Sequence, residues 1–207
     1  LSFEKICEIS AEQMETYKRL LMRFKKANSA NVSDQEKGKA LEELVSYLLK
    51  VSGGIFRVDR NLRTTTNEID QMVTLKVNGK VLLKHNIINS RFDCFLCECK
   101  NYSKRVDVTY TGKFCSLMLT NNVKLGILFS YYGVSGKGWS NSSGLIKKFY
   151  LHKEKIEDRY CIINFSLKEF ESILEGKNFL QIVEEQLISL QVDTDYSRYL
   201  AKHPAEK

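Results

Sequence analysis

An α/β fold is what this chain predicts, on three observations. Segments whose apolar residues recur at helical spacing alternate with short strand-like runs, apolar throughout or every second residue. Ser/Gln and Ser/Glu capping boxes mark two helix starts, and glycine or asparagine pairs punctuate the breaks between segments. At 207 residues, 43% of them hydrophobic, the chain can bury one substantial core. The expected layout is a main domain over 35–192, preceded by a helical extension over 1–34 and followed by a tail over 193–207.

Ser10-x-x-Gln13 opens the first helix, and Met14, Tyr17, Leu21 and Phe24 continue it to an end near Lys26. A polar connection follows, then a helix over about 35–50. With Leu41 taken as zero on a helical wheel, Leu44, Val45, Leu48 and Leu49 fall within about −60° to +80°. Glu42 then lies near about 100°, on the border of the apolar stripe, and Glu43 near about 200°, facing solvent. Gly38 permits a close backbone approach one turn before Glu42.

Gly53-Gly54 stops that helix, and Ile55 to Asn61 reads as a strand. Glu68 to Val77 reads as a second, with Ile69, Val73, Leu75 and Val77 on one face and Asp70 on the other. Asn78-Gly79 predicts a hairpin turn into an added strand, Lys80 to Ile88, ahead of a strand from Phe92 to Lys100. A helix over Asp107 to Thr120, tolerating Gly112, leads to a buried strand over Lys124 to Tyr132. Gly133 to Gly138 is then expected as a flexible loop; its glycine spacing is too short for a Walker loop, though its basic character suits a phosphate contact through Lys137. A helix over Ser143 to His152, a strand over Tyr160 to Phe165, a helix opened by Ser166-x-x-Glu169 and a last helix from Phe179 to Leu190 complete the chain.

The net charge is +7. Residues 166–195 hold two lysines against seven acids, leaving the remainder at +12, which suits a polyanionic partner on one face. No run approaches the roughly 20 apolar residues of a membrane span, and no signal peptide opens the chain, so a soluble, cytoplasmic protein without a membrane partner is expected. Leu1 in place of an initiator Met leaves room for a longer parent chain or a complex. Three of six cysteines, Cys94, Cys97 and Cys99, crowd one apolar strand. Alternation sets Cys94 opposite the other two, so free, packed thiols are expected rather than a zinc site.

The same strand ends in Glu98-Cys99-Lys100. Residues two apart share a face, so Glu98 and Lys100 project together. If Asp70 on a neighbouring strand faces the same point, two carboxylates and an ammonium converge. Carboxylates so close need a cation or a proton between them, and a hard divalent ion is the natural guest.

In order, the helix with Glu42, the strands with Asp70 and Glu98-x-Lys100, a helix and a further strand resemble the PD-(D/E)xK nuclease superfamily, in its Mrr-like restriction endonuclease branch. The matching stretches are Gly38-Lys39-Ala40-Leu41-Glu42, Asn67-Glu68-Ile69-Asp70, Glu98-Cys99-Lys100-Asn101, and Gly126-Ile127-Leu128-Phe129-Ser130 leading into Gly133-Val134-Ser135-Gly136, within about residues 36–190. The resemblance implies a restriction-endonuclease-like three-layer core, a mixed central sheet flanked by helices. It implies Mg²⁺, with Mn²⁺ as substitute, held by Asp70, Glu98 and the carbonyl of Cys99. Lys100 would position and help deprotonate the attacking water, and Glu42 would contact a metal water or a second ion. Cleavage would leave a 5′-phosphate and a 3′-hydroxyl. Ile69 stands where the superfamily name has Pro, and Glu98 where many Mrr-like members have Gln, which restores a full acid.

The implied activity is an endonuclease acting on DNA, in defence against foreign DNA, with a homodimer or larger assembly needed to cut both strands. Arg57, Arg60, Arg63, Asn101, Lys104, Arg105 and Lys137 are candidate contacts to the nucleic acid, and Tyr131, Tyr132 and Trp139 are core or stacking residues. The rival readings are a non-catalytic nucleic-acid-binding or assembly module of the same fold, and a nuclease acting on RNA or repair intermediates.

Overall fold

The computed structural model describes residues 7–29, 32–63, 68–136 and 140–200. The helices are α1 (Ala11–Ser29), α2 (Asp34–Val51), α3 (Val77–Lys84), α4 (Val108–Thr120), α5 (Ser142–Tyr150), α6 (Leu167–Leu174) and α7 (Phe179–Leu200). The strands are β1 (Phe56–Arg63), β2 (Glu68–Leu75), β3 (Cys94–Cys99), β4 (Leu125–Phe129) and β5 (Cys161–Phe165). They form one five-stranded sheet in the order β1-β2-β3-β4-β5. The pairs β1/β2 and β2/β3 are antiparallel, and β3/β4 and β4/β5 are parallel. The protein is therefore α/β, with a mixed sheet flanked by helices.

Strand alternation distributes the core into two clusters. Val73, Phe95, Cys97, Ile127, Phe129, Ile163 and Phe165 face a layer containing α1, α2, α6 and α7. Leu96, Leu128 and Ile162 face α4 and α5 through Phe114, Met118, Ile146 and Phe149. Gly126 lets α4 lie against β4, since a Cβ there would stand 2.5 Å from Met118 Sδ and 2.7 Å from the Phe114 ring. Cys94 joins the second cluster while Cys97 and Cys99 join the first, as alternation requires. Burial drives the thiols upward, to about 12 for Cys7 and Cys115 and about 11 for Cys161, so they stay protonated at neutral pH.

Helix starts follow the local chemistry. Ser10 and Gln13 exchange capping bonds at 3.0 and 3.3 Å, and Ser166 receives the Glu169 carboxylate on its backbone N–H at 2.7 Å. Other expectations give way. The hairpin and added strand over 78–88 do not form: both edges of β2 are taken by β1 and β3, and Val77–Lys84 is the helix α3. Gly79 serves close approach, with a Cβ there 2.7 Å from Leu75 Cδ2 and 3.0 Å from the Ile55 carbonyl oxygen.

The helical extension over 1–34 is no appendage in its described part. Tyr17, Leu21 and Phe24 are buried, and the Tyr17 hydroxyl donates to the Phe170 carbonyl at 2.8 Å. The tail likewise starts later than 193, because α7 continues to Leu200. Gly133 to Gly136 is a pinned segment rather than a flexible loop. Gly133 N–H donates to Ser130 Oγ at 3.0 Å, Val134 N–H donates to Asn164 Oδ1 at 3.2 Å, and Val134 bridges Val106. Positive φ values of 74° and 71° at Gly133 and Gly136 make these turns. Lys137, Gly138 and Trp139 lie outside the described residues. Among the described residues no helix is long and apolar enough to cross a membrane.

Candidate active site

The site sits where two paired strands part. The β2/β3 ladder runs from Thr74 opposite Cys94 to Gln71 opposite Cys97 and stops there. Asp70 and Glu98 are the next residues along each strand, so they flank the opening. β3 is held on its other side, through Cys99 opposite Phe129 and Lys100 N–H donating to the Phe129 carbonyl at 2.8 Å. The backbone carrying Glu98 and Lys100 is thus held on the β4 side, while on the β2 side the ladder has no pair beyond Gln71 and Cys97. Ile69, expected on one face with Val73, instead joins the second cluster.

Glu98 and Lys100 project together as alternation along β3 requires, and Asp70 of β2 meets them. Lys100 Nζ lies 2.6 Å from Glu98 Oε1 and 3.5 Å from Asp70 Oδ2. Asp70 Oδ2 also accepts from the Cys99 N–H at 3.2 Å, which aims the carboxylate across the gap. All three side chains are largely buried, with 17–29% of their surface exposed. Burial, and then the charge of Asp70, push the Glu98 carboxyl up to about 7 against the pull of Lys100. Burial opposes the Lys100 ammonium, but the Glu98 charge and hydrogen bond and the Asp70 charge outweigh it and raise its pKa.

Glu42, on α2, is exposed and lies within electrostatic reach of Asp70 and Lys100. Its carboxyl is raised by partial burial and then by Asp70, while Arg60 and Lys100 pull the other way. The wheel's order of exposure does not hold: Glu42 is exposed, whereas Glu43 is half-buried and ion-paired with Arg23 of α1. The candidate phosphate contacts divide. Arg60 is exposed and electrostatically close to Glu42, and Arg105 is exposed. Arg57 turns to Asp59 at 3.0 Å, and Lys104, 75% exposed, stands 4.0 Å from Asp107. The side chain of Arg63 and all of Lys137 lie outside the described residues.

Asn101 is a correction. It is 5% exposed and its amide donates to the Lys37 carbonyl at 2.7 Å, tying the end of β3 to α2, so it supports the site from below rather than meeting a phosphate. Its Oδ1, like Oε1 of the buried Gln71 on β2, is buried without a hydrogen-bond partner. Tyr131 packs edge-on against Phe24 at 5.3 Å in the core. Two residues escaped sequence reading: Tyr102, just past Lys100, and Tyr110, whose rings meet 5.1 Å apart. Position two residues after Lys100 was the one available signal for Tyr102, since neither tyrosine falls in a motif.

The donor set bears on the expected metal. Among the described residues no group of three or more His, Cys, Asp or Glu side chains is close enough to hold an ion. Asp70 and Glu98 provide two hard oxygen donors, the number Mg²⁺ takes when waters and a substrate phosphate complete its shell. The repulsion that lifts Glu98 is what a divalent charge would relieve. The residues therefore fit Mg²⁺ or Mn²⁺ better than a closed structural ion. Compared with protein-family models, curated proteins and solved structures, the chain finds no match.

Proposed function

We propose that the protein is a restriction-endonuclease-like nuclease that hydrolyses phosphodiester bonds in DNA with Mg²⁺ or Mn²⁺, in defence against foreign DNA. The observation that carries this reading is Lys100 set between Glu98 and Asp70, at 2.6 and 3.5 Å, where β2 and β3 part. Asp70, Glu98 and the Cys99 carbonyl would hold the ion, which when bound polarises the phosphate and makes hydroxide available near neutral pH. Lys100 stays an ammonium, orients the attacking water and favours its deprotonated form. Glu42, across the mouth, orients water from the helix side. Arg60 and Arg105 would meet flanking phosphates. One such centre cuts one strand, so cleavage of a duplex calls for two copies.

Nicking of circular DNA, with Mg²⁺ and with chelator, tests the reading, with linear DNA and RNA as parallel substrates. Asp70→Ala, Glu98→Ala and Lys100→Ala should each slow metal-dependent nicking by about 100-fold or more. Glu42→Gln should slow it less, and Glu43→Gln, which loses only a surface ion pair, should nick at the parent rate. Parent-like nicking by Glu98→Ala or Lys100→Ala would falsify the assignment. No nicking by the parent on any substrate would favour the non-catalytic binding module.

A further inference from the structure

We infer that Tyr102 and Tyr110 form a stacking platform for an unpaired base beside the reactive centre, so that the substrate is nucleic acid with a single-stranded or unstacked nucleotide at the cleaved phosphate. This inference rests on the nuclease reading for its site and adds the substrate's form.

Tyr102 follows Lys100 by two residues, which keeps their Cα atoms within about 7 Å. The charges of Lys100 and Glu98 both act on its phenol, so the ring lies within electrostatic reach of the site. Tyr110 is placed independently, in the first turn of α4. There the Asp107 carboxylate accepts from the backbone N–H of Thr109 and Tyr110 at 3.0 and 3.2 Å. The rings meet at 5.1 Å and 39°, and Lys113 Nζ lies 5.5 Å from the Tyr110 centroid. Tyr110 borders the second core cluster and both tyrosines remain partly exposed. Between them in the chain come Lys104 and Arg105, both exposed.

Aromatic faces interleaved with cations are what an unpaired nucleotide binds: the base stacks, and the phosphates meet the charges. A base inside an intact duplex has no free face to offer. The platform therefore discriminates by strandedness, with little dependence on base identity.

Anisotropy of labelled single-stranded DNA, single-stranded RNA and blunt duplex DNA, measured in chelator so that nothing is cut, tests the inference. The parent should bind single strands more tightly than duplex. Tyr102→Phe with Tyr110→Phe, which keeps both faces, should bind within about twofold of the parent, whereas the double alanine variant should lose about tenfold or more on single strands. Its duplex affinity should not change. If the double variant fails to fold by circular dichroism, Tyr102→Ala alone carries the comparison, because Tyr110 then still lines the core.

Equal affinity of the parent for single strands and duplex would overturn the platform, as would alanine and phenylalanine variants that bind alike. Binding in chelator needs no catalysis, so the two readings fail separately. Tyrosine-dependent binding without nicking refutes the nuclease, and nicking with tyrosine-independent binding refutes the platform. The single-strand arms distinguish DNA from RNA as the source of the base.

Discussion

At Glu98 a carboxyl group stands 2.6 Å from the Lys100 ammonium, which favours its charge, while burial and the charge of Asp70 oppose it. Burial and Asp70 win, and the folded pKa moves from 4.5 to about 7. Between those values the folded chain keeps a proton that the unfolded chain has released. Stability of the metal-free protein should therefore fall as pH rises through this window and level off above about 7. The loss should be on the order of 1 to 3 kcal/mol. Glu98→Gln, which cannot ionise, should flatten this part of the profile. Urea midpoints at pH 5 and 8 in chelator measure it, and identical pH slopes in the two proteins would remove Glu98 as the cause. The chemistry proposed for the site uses the same tension, because the strain of two facing carboxylates is what a divalent ion would relieve.

At the scale of elements, what was legible in the sequence was local. The boxes at Ser10 and Ser166 were readable because their partners lie three residues away. The facing of Glu98 and Lys100 follows from the period of the strand alone. What failed depended on distant neighbours. The partner of Glu43 is Arg23, brought across by the packing of α1 on α2. Asn101 is buried because α2 presents the Lys37 carbonyl to it, and Tyr102 meets Tyr110 only once α4 has docked. Asn78-Gly79 has turn chemistry, yet with both edges of β2 occupied the segment coils into α3, and Gly79 is used for contact. Gly79→Ala separates these roles. Alanine gains about 1 kcal/mol of helix propensity. Against that, the new Cβ would stand 3.0 Å from a backbone oxygen that cannot swing aside, and overpacking costs about 1 to 3 kcal/mol. The melting temperature should fall; a rise would mean that α3 does not press on Ile55.

On the scale of the whole molecule, α1 decides where the folding unit begins. It lies against the sheet layer that also holds α2, α6 and α7, with Cys7 buried just ahead of it. Phe24 meets Tyr131 at 5.3 Å and Phe170 at 5.6 Å, and Tyr17 bonds the Phe170 carbonyl. Tyr131 lies between β4 and the pinned segment Gly133–Gly136, so α1 braces the backbone that leaves the end of β4. Burying Tyr17, Leu21 and Phe24 is worth about 1.5 to 3 kcal/mol per side chain. Their sum, about 4.5 to 9 kcal/mol, matches the lower half of a typical domain's stability of about 5 to 15 kcal/mol. Removing residues 1–29 also uncovers the face of α2 that positions Glu42. The shortened chain should therefore lose its cooperative thermal transition and bind a hydrophobic dye, and adding Mg²⁺ should not restore it. Calorimetry of the two proteins decides between an integral helix and an appended one: a shortened chain that melts sharply at the parent temperature would mark α1 as an appendage.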